Sequence, residues 1–363
     1  MSRRRIGPRI DDAIRGLTPG YFALVMATGI ISVGMNLEGH HVLSSILAVT
    51  AVSVLVLLVV LNGWRLVTHR KAVVDDFLDP RRAFGFYTII AGLNVVGVRL
   101  ALDGHVWITA GLLTVAAVLW LVLGYVIPWT AVLGKHARPI IATANGTWFI
   151  WVVASQSVAV SAATVERSFP SVRDLLAIVA VFSWSVGVFL YAAAGVFVAA
   201  RMMLYDFGPE DLTPPYWVAM GASAITVLSG ARIVEMESAP MVDVTRGLIA
   251  GASVLFWAFA TWLIPALIAS GWWRHFRHGI PLNYEATLWS IIFPLGMYAV
   301  AGIYLGQADH LPMVGAIGGG WIWVAFTAWG VTFVAMVRHI VLTLLWPPAR
   351  ERLGGRTGAS AEG

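Results

Sequence analysis

The chain has no cysteine and little charge. Only 12% of its 363 residues are Asp, Glu, Lys or Arg, about half the share of a soluble domain. Without cysteine there can be no disulfide, thiolate metal site or cysteine nucleophile. Neither HExxH nor GxSxG occurs, so two common hydrolase constellations are missing. No Lys/Arg-rich stretch interleaves with aromatics outside the apolar runs. The formal charge of +5 therefore does not indicate a nucleic-acid partner. Arg3, Arg4 and Arg5 precede no short apolar run with a small-residue cleavage site. The N-terminus thus reads as retained, not as a signal peptide.

What is there is apolar. Hydrophobic residues make up 59% of the chain, with 17 Trp among them, a ring type that collects at membrane–water boundaries. No soluble core could bury so much apolar surface, so the bilayer must solvate most of it. Crossing ~30 Å of hydrocarbon takes about 20 apolar residues. Such runs fall at 19–38, 43–64, 84–102, 106–128, 139–163, 174–203, 214–236, 246–271, 283–305 and 313–346. Turn formers and charges fill the joins. This is an all-α integral membrane pattern of ten spans, and an even number puts both termini on one side.

The positive-inside rule tests that map. With the N-terminus in the cytoplasm, all but five of the 24 Lys and Arg fall on the cytoplasmic side. Those five are Arg99, Arg167, Arg173, Arg232 and Arg246. A wrong span count would have scrambled the bias, so a multi-pass cell-membrane protein with both termini inside is expected. Residues 1–18 form a cytoplasmic N-terminal segment. Within it Ile6, Ile10, Ile14 and Leu17 recur at helical spacing opposite Arg9, Asp12 and Arg15, which suits an interfacial helix or a disordered basic tail. The transport domain covers 19–346, and residues 347–363, rich in Gly, Arg and Ser, read as a disordered tail.

Polar groups inside a membrane are costly, so their positions are informative. Mid-span Asn, Gln and Arg fall only in odd-numbered spans: Asn94, Arg99, Asn145, Gln156 and Arg232. Hydroxyls follow them, among them Thr28, Ser32, Thr88, Ser223, Thr226 and Ser290. This segregation predicts five inner (odd) helices around a central pore, enclosed by five outer (even) helices. Any one of these hydroxyls could equally serve helix–helix contact. Arg99 and Arg232 lie a turn or two inside the outer boundary, where they would make a positive, anion-attracting mouth. Alternatively they snorkel to the interface, or Arg232 pairs with Glu235 at i+3. Glu285 is placed to pair with the Arg274/Arg277 loop.

Four stretches carry a family likeness: TPGYFALVMATGIIS in the first span, NGTWFIWVVASQSVAV in the fifth, PPYWVAMGASAIT in the seventh and LWSIIFPLGMYAV in the ninth. They resemble the tellurite-resistance/dicarboxylate transporter family, which includes slow-type anion channels, malate permeases and sulfite efflux pumps. The resemblance implies a homotrimer with one pore per subunit, lined by the odd helices. It implies gated transport of small anions, whether C4-dicarboxylates such as malate, sulfite or other inorganic anions. The family's gate is a Phe on the ninth helix, and Phe293, between Trp289 and Pro294, matches it. Unlike its relatives, this chain has only one mid-span proline on an inner helix, Pro294. No cofactor is expected, and the partners are small anions and membrane lipid. The rival from another class is an integral membrane enzyme with a loop metal on His275 and His278, spaced i, i+3.

Overall fold

The computed structural model describes residues 6–134 and 139–345. Arg3 to Arg5, Lys135, Arg138 and the tail from 347 onward lie outside the described residues. Hydrocarbon offers backbone groups no water, so a spanning segment must satisfy them internally, as a helix does. Ten helices long and apolar enough to cross a bilayer are present among the described residues. They are Pro19–Leu37, His41–Thr68, Ala83–Leu102, Val106–Val132, Gly146–Ser168, Pro170–Leu204, Pro214–Val234, Pro240–Arg277, Ala286–Ala308 and Pro312–Thr343.

Two kinds of span alternate. The odd spans are 19–23 residues long and bury 72–89% of their apolar window inside the protein. The even spans run to 27–38 residues and bury only 22–33%. At 1.5 Å per residue, an odd span just crosses the hydrocarbon, whereas an even one is long enough to tilt or extend beyond it. The first span packs on the third, the third on the fifth, the fifth on the seventh, the seventh on the ninth and the ninth on the first. Each even span packs on the odd span before it, outside this closed ring. Val56, Val118, Phe189, Leu255 and Val331 lie exposed on the outer helices, where lipid is their solvent.

Every odd span opens with a single 3₁₀ turn: Pro19–Phe22, Ala83–Phe86, Gly146–Trp148, Pro214–Trp217 and Ala286–Leu288. These five turns touch in the same cyclic order and form a collar at the face that carries the N-terminus. Proline suits a helix start because the first N–H groups have no intrahelical partner. The collar is tight. A Cβ on Gly85 would come within 3.1 Å of Gly20 N, and one on Gly146 would strike the Pro215 carbonyl.

Three expectations need correction. The fifth span starts at Gly146, not 139, because Ile140–Thr143 forms a separate 3₁₀ turn and Asn145 is extended (φ −150°, ψ −177°). Asn145 is thus an N-cap rather than a mid-span group, its Oδ1 accepting from Thr147 N at 2.8 Å and Oγ1 at 2.7 Å. Glu285 does not reach Arg274 or Arg277 but accepts from Thr287 Oγ1 at 2.9 Å. Arg274 instead donates from Nη1 to the carbonyls of Pro209, Glu210 and Leu212. Two short helices lie at the same face as the collar. Ile6–Arg15 contacts the second span and the end of the tenth, burying Ile14. Arg70–Leu78 is held by Asp76, whose carboxylate pairs with Arg65 at 2.8 Å and Arg82 at 3.1 Å.

Candidate pore and anion site

A cavity lies inside the ring of odd spans. Its walls take Ile30 and Val33 from the first, Asn94 and Val98 from the third, and Ser157 and Val160 from the fifth. Leu228 and Arg232 come from the seventh, and Met297 and Tyr304 from the ninth. No even span contributes a wall residue. Only ≈ 20 Å³ is open to the centre of a water-sized molecule, and one water needs about 10–15 Å³ of such space. The cavity therefore has room for a water or so and for no polyatomic anion.

Helix geometry sets what closes it. On the ninth span, Pro294 packs against Gly221 of the seventh, where a Cβ would come within 2.8 Å of the proline ring. Gly296 packs against Ile30 and Ile31 of the first span, at 2.9 Å from such a Cβ. Gly302 and Gly306 lie against Gly318 and Gly315 of the tenth. At ~100° per residue, the face between the first two contacts carries Phe293, Met297 and Tyr304. Met297 and Tyr304 line the cavity. Phe293, one turn nearer the collar on this face, is 1% exposed. Ser290 shares the stripe and is 8% exposed.

The polar groups at the cavity are few. Asn94 is 1% exposed and donates from Nδ2 to Ser157 Oγ at 2.9 Å. Ser157 in turn donates to the Ala154 carbonyl at 2.8 Å. Asn94 Oδ1 is buried without a protein partner, an arrangement that costs ~1–3 kcal/mol unless a water or solute fills it. Arg232 stands at the far end from the collar, its guanidinium 5.2 Å from the Tyr304 ring centroid and Nη1 2.8 Å from Glu235 Oε2.

The other expected residues point elsewhere. Thr28 accepts from Trp329 Nε1 of the tenth span at 2.9 Å. Thr88 donates to the carbonyls of Gly85 and Pro19. Gln156 donates to the Trp184 carbonyl and accepts from Ser229. Ser223 donates to the Phe256 carbonyl, and Thr226 to Ala222 in its own helix. Ser32 and Ser44 exchange hydroxyl-to-carbonyl bonds across the first and second spans, at 2.6 and 2.7 Å. Arg99 Nε donates to both hydroxyls, and its Nη1 lies 2.8 Å from Asp103 Oδ1. Apart from Thr226, these groups stitch helix seams, as polar side chains commonly do in membranes. Of the nine expected lining residues only Asn94 lines this cavity, and of the two arginines only Arg232 does.

The mouth is not positive overall, which differs from a further expectation. Each of the five arginines at the end remote from the collar has an acid partner: Asp103, Glu237, Glu166, Glu235 or Asp243. Sequence reasoning missed Ser157 and Tyr304 as wall residues. Tyr304 was findable, since it lies eleven positions beyond Phe293 in the same helical register. His275 and His278 do not converge on one point, their Nδ1 atoms lying at the Ile280 and Trp273 carbonyls respectively.

Short polar-seamed helices thus form a ring around an axial cavity, wrapped by long lipid-facing ones. A profile of the voltage-dependent anion channel family (SLAC1) matches residues 16–337. The chain belongs to that family, which the tellurite-resistance/dicarboxylate resemblance had indicated. An uncharacterised membrane protein of Mycobacterium tuberculosis is 57% identical over 173 residues, 48% of this chain and 83% of the relative. Two proteins of Methanocaldococcus jannaschii named as uncharacterised transporters are 24% and 22% identical over 338 residues. Those matches cover 91% of this chain and 95% and 97% of the relatives. Membership of that family makes this a membrane protein of the anion-transport class.

Proposed function

We propose that small anions cross the membrane along the axis of the odd helices, with Phe293 as the gate. The carrying observation is a cavity walled by all five odd spans and by no even one. An aromatic ring across a narrow apolar bore excludes hydrated ions until it turns aside. Pro294 lacks an N–H to complete the helix ladder at that turn, so the helix can bend there. Arg232 contacts anions at the mouth and Asn94 replaces part of their hydration inside. Arg99, though on an inner helix, serves as a clamp. The collar face is cytoplasmic, since the basic residues concentrate there, and both termini lie on that side. Each subunit of a homotrimer holds its own pore. C4-dicarboxylates such as malate, sulfite and other inorganic anions are the candidate substrates.

Phe293→Ala should raise anion flux in proteoliposomes by on the order of ten-fold, the effect of removing a hydrophobic constriction. An unchanged flux from a normally folded variant would remove Phe293 as the gate.

A further inference from the structure

The cavity's single cation is already occupied. Arg232 Nη1 lies 2.8 Å from Glu235 Oε2, and the two side chains are 24% and 30% exposed. A carboxylate oxygen at that distance is the contact a transported oxyanion would make with a guanidinium. We infer that Glu235 is a resident competitor at an anion site formed by Arg232 over Tyr304. A small oxyanion enters by displacing the Glu235 carboxylate from Arg232. This rests on the axial route proposed above.

The surroundings restrict what can move. Arg246 binds the carbonyls of Val234 and Met236 on either side of Glu235. Arg167 Nη2 donates to the Glu235 carbonyl at 2.8 Å. The backbone of 234–236 is thereby held by two arginines on neighbouring elements. Among the described residues, the Glu235 side chain has one ionic partner and one hydrogen-bond donor, Arg232 in both cases. Its rotation is the least costly way to free the guanidinium. Arg232 itself keeps its place during exchange, because its guanidinium lies over the Tyr304 ring at 5.2 Å, a favourable cation–π contact. Asn94 is also a wall residue of this cavity, and its buried Oδ1 has no protein partner, which leaves it able to accept from the hydroxyl of a protonated oxyanion.

The other four arginines of this face do not offer the same site. Arg99 is enclosed at 2% exposure by Ser32, Ser44 and Asp103. Arg167 lies in the closing 3₁₀ turn of the fifth span, Arg173 and Arg246 lie on outer spans, and none of the three lines the cavity. The site thus carries one cation whose charge is offset until the carboxylate leaves. Such a site binds weakly and exchanges fast, as conduction requires.

The test uses the full-length protein in detergent, titrated with nitrate at ionic strength held constant by gluconate, and reads thermal melting. Glu235→Gln should lower the half-saturating nitrate concentration by about five-fold, the effect of losing an ion pair this exposed. Arg232→Gln should abolish the saturable response, and the double variant should behave like Arg232→Gln alone. Arg232→Lys, which keeps the charge, should retain a weaker saturable response. A wild-type half-saturation in Glu235→Gln, no saturable response in that variant, or a response that survives loss of Arg232 would overturn the inference. Flux assays run in parallel with nitrate, chloride, sulfite and malate. Should the wild type move none of them, the transport reading falls, while the titration still decides the role of Glu235.

Discussion

Arg99 and Arg232 look alike in the sequence and do opposite things in the fold. Both sit in the last turn of an inner helix, and each pairs with an acid one turn on, Asp103 or Glu235, at 2.8 Å. Arg99 turns outward into the seam of the first three spans, 2% exposed and bonded to two serines. Arg232 turns inward to the cavity and stacks over Tyr304. The helix face, not the residue or its depth, decides whether a membrane arginine enters a helix seam or a cavity wall. A rotation of roughly a quarter turn separates the two placements.

The largest effect should come from the clamp. Arg99→Ala leaves Asp103 and two serine hydroxyls without their common donor, and should cost on the order of 3 kcal/mol. Differential scanning fluorimetry in detergent would read this as a clear fall in melting temperature. Whatever folded Arg99→Ala protein remains should keep wild-type anion-over-cation selectivity; altered selectivity would move Arg99 into the conduit. Arg232→Ala should show the reverse pattern. Its exposed pair contributes less than ~1 kcal/mol to stability, yet the reversal potential under a salt gradient should shift toward the cation value. An unshifted reversal potential would make Arg232 structural too. The smallest effects are expected in the seams. Thr28→Val and Ser223→Ala each remove one interhelical hydrogen bond, typically ~0.6 kcal/mol in a membrane, and should leave flux unchanged. A seam variant with intact folding and halved flux would blur the division between seam and bore.

The same distinction explains what could be read before the fold was known. All ten spans were legible, because about 20 apolar residues in a row have few other uses, and the structure places a helix on each run. Alternation of polar content between odd and even spans was also legible. The direction of each side chain was not. A helix buried on every side has apolar residues all round, so no periodic stripe marks its bore face. Ser32 and Ser157 are equally small and equally mid-span, yet one bonds Ser44 in a seam and the other lines the cavity. Asn145 misled for a different reason. The stretch PIIATA is apolar enough to extend a span by hydropathy, but Pro139 and the capping side chain of Asn145 hold it outside the helix. Phe293 came from family likeness, and only the glycine contacts of the ninth span fix which way its face turns.

The absence of native cysteine permits a direct test of the axial route. Leu228→Cys places a thiol in the cavity wall, and Val59→Cys places one on the lipid-facing second span, where Val59 is 46% exposed. In proteoliposomes, a small anionic methanethiosulfonate reagent should block anion flux through Leu228→Cys and leave Val59→Cys untouched. If mass spectrometry shows Leu228→Cys fully modified while its flux stays at the wild-type rate, anions do not travel along the axis of the odd helices.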